Sequence, residues 1–162
     1  MFVSDPAFSG SVSRRQIWSD WNDALAVLQS AVTVHAMWVG GSFTTSKVDP
    51  GDVDVLYIVN ADSVRGLQGQ QEQKIVTIFN TPGRVKSELA LNVDTYLLFW
   101  ECIPFPLPPG MNGFQDHYYR ARGYWDDWWQ RVQQGPKGSS PVPADTLPRR
   151  GYLEVPVSDY II

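Results

Sequence analysis

The chain has 162 residues, 43% of them hydrophobic and 19% charged, with a formal net charge of −4 and a pI near 5.0. Those values exclude a disordered chain, which needs low hydrophobicity and high charge. They also exclude a domain that grips nucleic acid mainly through its phosphates, which needs a basic face, so no strong duplex binding is expected.

The length suits one domain, residues 1–162, with a sizeable core. Seven Trp, seven Tyr and seven Phe make it aromatic-rich. Cys102 is the sole cysteine, so an intrachain disulfide and a cysteine-based zinc site are excluded and an intracellular setting is expected. The start, Met1-Phe2-Val3-Ser4-Asp5-Pro6, lacks the basic and apolar regions of a signal peptide. No apolar run approaches the roughly 20 residues that span a bilayer. The expectation is a soluble, cytoplasmic protein that makes no membrane contact.

In chain order, Ile17, Trp18, Trp21, Leu25 and Leu28 recur at helical spacing, which predicts a helix from Ser13 to about Gln29 with Ser13 as N-cap. Val32 to Val39 reads as a strand ending at Gly40-Gly41, and Ser42 to Ser46 as a short helix or a loop. Pro50-Gly51 launches a second strand, Asp52 to Val59, with Val53, Val55, Tyr57 and Val59 on one face. Asp62 to about Phe79 predicts a helix interrupted near Gly66 and Gly69. Leu89 to Trp100 reads as a third strand behind the turn at Thr81-Pro82-Gly83. The proline-rich run 103–110 suits neither sheet nor helix and is expected to be an exposed apolar arm, a candidate partner contact. Gln115 to Gln133 predicts a helix on the period of Tyr118, Arg122, Trp125, Trp128, Trp129 and Val132, ended by Gly135-Pro136. Residues 134–150 read as loop, and Gly151 to Val157 as a short edge strand. The expected fold class is α/β (α+β), a small mixed, twisted sheet with flanking helices.

The chemistry concentrates where Val39-Gly40-Gly41-Ser42 is followed, after a short linker, by Asp52-Val53-Asp54-Val55. Side chains alternate along a strand, so Asp52 and Asp54 face one way and the valines the other. Two neighbouring carboxylates repel unless something positive sits between them, and a hard divalent cation, Mg²⁺ or Mn²⁺, is a fitting partner. Glycines nearby let backbone N–H groups approach phosphates. Asp94 stands in Leu91-Asn92-Val93-Asp94-Thr95-Tyr96-Leu97-Leu98, a lone acid in an apolar strand. Burying such a charge is costly unless it is paired or binds metal. Glu88 and Glu101 lie at or beyond that strand's ends and compete less well.

This pattern resembles the signature of the nucleotidyltransferase superfamily typified by DNA polymerase beta. Either Gly40-Gly41 or Gly41-Ser42 aligns with it, and the element order from Ser13 to Trp100 is similar to the minimal core, about 13–100. The stretch Trp125-Asp126-Asp127-Trp128-Trp129 with Arg150-Gly151-Tyr152-Leu153-Glu154-Val155, in the tail of about 115–162, looks like that of small stand-alone nucleotidyltransferase-like proteins of bacteria and phages.

The resemblance implies a site in which Asp52 and Asp54 hold one Mg²⁺ on a triphosphate. With Asp94 they hold a second at the acceptor hydroxyl, and Asp94 is also a candidate base. Gly40, Gly41 and Ser42 would bind the β- and γ-phosphates, and Lys47 would add charge toward the leaving pyrophosphate. Phe43-Thr44-Thr45-Ser46 departs from the branch similar to antitoxin-type members, where an Arg commonly follows the Gly-Ser. The implied reaction transfers a nucleoside monophosphate from an NTP to an acceptor left open among protein, RNA and small molecule. The alternative is a catalytically inactive member of the fold, serving as an antitoxin-like or phage–host binding module.

Other features read as structural. His35 and His117 are expected to pack or cap. The Trp125, Trp128 and Trp129 stripe is read as core, since stacking on a base requires partial exposure. Asp126 and Asp127 are expected to face solvent. Tyr118-Tyr119-Arg120 with Arg122 reads as an ordinary helix face before an acceptor groove. The aromatic excess is compatible with a homo-oligomer or a protein partner.

Overall fold

The computed structural model describes residues 3–102, 110–132, 135–136, 139–140, 142–146 and 150–157. Helix α1 spans Arg14–Gln29, strand β1 Val34–Gly40 and strand β2 Val53–Asn60. Helices α2 (Ala61–Arg65), α3 (Gln70–Phe79) and α4 (Arg84–Leu89) follow, then strand β3 (Val93–Trp100), helix α5 (Gly113–Trp129) and strand β4 (Leu153–Pro156). The sheet is mixed, in the order β3-β2-β1-β4, with β2 and β3 parallel and the other pairs antiparallel. The predicted class is thus the one observed, α and β elements around a small mixed, twisted sheet.

The predicted break between α2 and α3 falls at Gly66 and Gly69, and β4 lies on the sheet edge as expected. Two local expectations are corrected. Ser13 precedes α1 but makes no capping bond; its backbone is already helical. Asp49 serves that helix start instead, its Oδ1 accepting from Ser11 Oγ and Val12 N, each at 2.9 Å. The third strand begins at Val93 rather than at the predicted Leu89, which instead ends α4 (Arg84–Leu89), bounded by left-handed Gly83 and Ala90. Only Val85 of α4 is buried, so six residues offer no readable helical period. Helix α5 starts at a reciprocal Asn112–Gln115 capping box and stops at Trp129, short of the predicted Gln133. Residues 103–109, the greater part of the proline-rich run, lie outside the described residues.

Each sheet face carries its own core. Val39, Val55, Tyr57, Val59, Val93 and Leu97 turn toward α1, α3 and α4 and join Ile17, Leu28, Phe43, Phe79 and Val85. Trp38, Leu56, Ile58 and Leu98 turn the other way, against Trp125 and Trp129 of α5 and Tyr152 before β4. Coverage on both sides explains why β2 reads as a nearly continuous apolar run. No helix of the described residues is long and apolar enough to cross a membrane.

Candidate functional site

Strand register assembles the site. On the α5 face Gly40 pairs with Asp54, and Asp54 with Asp94, so one row across three strands reads Gly, Asp, Asp. The next row inward is Trp38, Leu56 and Tyr96, already aromatic and apolar. Asp52 lies just before β2, and a cleft of about 770 Å³ opens over this end of the sheet. It is lined by Gly41, Ser42, Lys47, Asp52, Asp54 and Asp94, six of the seven residues singled out in the sequence.

The seventh, Gly40, does another job. A Cβ there would lie 3.1 Å from Cε3 of Trp129, so the missing side chain lets α5 dock its last indole onto the sheet. Gly41 is required more strictly. Its φ of 73° with ψ of −167° is a conformation almost reserved for glycine. A Cβ at Gly41 would fall 1.8 Å from Asp54 Oδ2, so the bare Cα is what lets the carboxylate lie against the turn.

The loop after the turn is held from beneath by Arg14. Its guanidinium donates to the carbonyls of Phe43 (2.9 Å), Thr45 (2.8 Å), Lys47 (2.6 Å) and Val48 (3.2 Å). Phe43, the first residue of the Phe43-Thr44-Thr45-Ser46 loop, is wholly buried in the core. The cations of the cleft come from elsewhere. Arg131 and Arg150 line it together with Lys47, and an Arg150 nitrogen donates to the Gly41 carbonyl. Arg150 N also donates to Gln130 O at 2.9 Å, so the tail crosses the end of α5 and reaches back to the glycine turn.

Lys86 of α4 is the residue that sequence reasoning missed most clearly. Its Nζ donates to Asp52 Oδ2 at 2.9 Å. That hydrogen bond, and secondarily the fields of Asp52, Asp94 and Asp54, raise the Lys86 pKa. Tyr96 is raised by burial first and then by the same three carboxylates. Both shifts report one negative field concentrated at this end of the sheet. Carboxylate oxygens are the donors a hard divalent cation takes, so the residue types fit Mg²⁺ or Mn²⁺. Among the described residues no group of three His, Cys, Asp or Glu side chains is drawn together as a ready metal cage, and Asp52 is turned to Lys86.

A model of a family of unknown function (DUF6932) matches residues 1–155. The chain belongs to that family. No curated protein and no solved structure matches it. The stretch shared with DUF6932 holds every cleft residue from Gly41 to Arg150 and ends inside β4, so the tail is part of the family unit.

The remaining candidates are structural. His35 lies edge-on to Trp100, 4.7 Å between centroids, with Nε2 3.3 Å from Asn60 Nδ2, and burial lowers its pKa. His117 packs near Phe99. Arg122 donates to Tyr118 Oη at 2.8 Å and Arg120 pairs with Asp116, an ordinary helix surface. Asp126 does not simply face water: it accepts from Tyr152 Oη at 2.6 Å, tying α5 to the start of β4. Cys102 is exposed and in no disulfide.

Proposed function

We propose that this chain transfers a nucleoside monophosphate from an NTP to a hydroxyl or phosphate acceptor, in the manner of the nucleotidyltransferases it resembles. One observation carries the reading: Asp54 and Asp94, distant in sequence, are lateral neighbours on parallel strands and share a cleft with Asp52 and the Gly41-Ser42 turn.

Asp52, Asp54 and Asp94 are the residues that would hold Mg²⁺ or Mn²⁺. The bound ion supplies electrostatic stabilisation of the charge that builds on the phosphoryl oxygens. The turn at Gly41 and the Ser42 hydroxyl receive the β- and γ-phosphates. Lys47, Arg131 and Arg150 add positive charge around the departing pyrophosphate. In the transfer, an acceptor oxygen bonds to the α-phosphorus as the bond from that phosphorus to the β-bridging oxygen breaks. The acceptor proton passes to the Asp94 carboxylate, and pyrophosphate leaves. Lys86 pairs with Asp52, so a cation held by Asp52 would compete with that ion pair.

The test is incubation with Mg²⁺ or Mn²⁺, each α-labelled NTP and a cell lysate, comparing wild type with Asp54→Asn and Asp94→Asn. Label in lysate material that vanishes in both variants is the expected result. The Asp52–Lys86 ion pair favours a second reading, a silent fold that binds without catalysis. No label transfer together with no metal-dependent NTP binding at millimolar ligand would select it.

A further inference from the structure

Helix α5 ends in two adjacent tryptophans that meet opposite fates. Trp129 lies over Gly40 and edge-on to Tyr96, with centroids 6.2 Å apart, as part of the core beneath α5. Trp128 keeps 44% of its surface in solvent and still lines the cleft that holds Gly41, Asp54 and Asp94. The stripe read as core is therefore split, and Trp128 meets the condition of partial exposure that stacking on a base demands.

Its surroundings suit a flat, uncharged ring joined to an anion. Tyr124, one turn earlier and 58% exposed, lies nearly parallel to it at 14°, with ring centroids 6.2 Å apart. At that separation the two rings are near-parallel and both remain partly exposed. The Arg131 guanidinium, paired with Asp127, stands 5.7 Å from the Trp128 ring centroid, close to the outer limit of a cation–π contact. Arg131 lines the same cleft, with Arg150 toward the glycine turn. Trp128, Arg131, the three carboxylates and the glycine turn thus line a single cleft.

We infer that Trp128, extended by Tyr124, is the platform on which the nucleobase of the substrate stacks, with Arg131 meeting the phosphate side of the same molecule. The inference rests on the nucleotidyl-transfer reading and adds the base subsite. A stacking platform accepts every base through its π-face, so discrimination among the four NTPs at this subsite is weak.

The experiment is calorimetric titration with Mg²⁺ present, comparing the NTPs with inorganic tripolyphosphate. The proteins are wild type, Trp128→Leu, Trp128→Phe, and Trp18→Leu, which removes an exposed tryptophan of α1 away from the cleft. Base–aromatic stacking corresponds to roughly a 5- to 150-fold change in affinity. The expected result is that Trp128→Leu weakens NTP binding within that range and leaves tripolyphosphate binding unchanged. Trp128→Phe retains most of the affinity, and Trp18→Leu matches wild type. Equal NTP affinity in wild type and Trp128→Leu, with tripolyphosphate still bound, overturns the base platform and leaves the transferase reading standing. Failure of wild type to bind either ligand at millimolar concentration overturns both.

Discussion

The two faces of the sheet are built from the same three strands and carry opposite programmes. Toward α1, α3 and α4 the registered rows run Val39-Val55-Thr95 and Met37-Tyr57-Leu97, apolar to the strand ends. The one hydroxyl of the first row, on Thr95, donates to Phe79 O at 2.9 Å. Toward α5 the rows begin equally apolar, Ala36-Ile58-Leu98, pass through Trp38-Leu56-Tyr96 and finish at Gly40-Asp54-Asp94. The change coincides with the end of the covering helix: α5 stops at Trp129, over the glycine of the last row, and leaves the two aspartates to the cleft. Carboxylates in a dry core are expensive, whereas at an uncovered strand end they stay within reach of water. One face is for stability throughout; the other gives up its last row.

The sharpest way to break that contrast is a pair of truncations. Phe79→Ala empties a fully buried position of the closed face and is expected to cost about 3–5 kcal/mol in urea unfolding. Trp129→Ala removes a half-buried indole from the rim of the open face, so its cost should be about 3 kcal/mol or less. Its larger consequence is expected in metal-dependent NTP affinity, because the wall beside Asp54 and Asp94 is lost. A Trp129→Ala penalty exceeding that of Phe79→Ala would mean that the α5 face is the principal core.

A smaller effect sharpens the other side. Tyr57 is wholly buried in the closed face, and its hydroxyl has no hydrogen-bond partner among the described residues. Burial pushes its pKa well above the ordinary phenolic value. Tyr57→Phe removes an unsatisfied polar atom and keeps the ring, so unfolding should show unchanged stability or a gain of about 1 kcal/mol. A clear loss would reveal a polar partner inside a face described here as apolar.

Much of this organisation was legible beforehand because it is written locally. The alternation around Asp52 and Asp54, the Gly40-Gly41 turn and the lone Asp94 each announce themselves within a few residues, and strand pairing then brings Asp54 and Asp94 side by side. What stayed hidden depends on where distant segments return. Lys86 reaches Asp52 from a helix with one buried residue, too short to mark itself by periodicity. Arg150 belongs to a tail that reads as loop until its backbone is seen on Gln130 and its guanidinium on Gly41. Gly40 and Gly41 look interchangeable in sequence. The structure separates them, since one makes room for Trp129 and the other for Asp54. Trp128 and Trp129 likewise differ only through the packing of the helix they share.

The most direct measurement is calorimetric titration of ATP into wild type and Asp94→Asn, each with Mg²⁺ and with the metal chelated. The account expects wild type to bind ATP only with the metal present, and Asp94→Asn to bind it at least about tenfold more weakly. Equal affinity with and without metal, or an Asp94→Asn variant indistinguishable from wild type, would contradict the claim that these carboxylates form a cation-dependent nucleotide site.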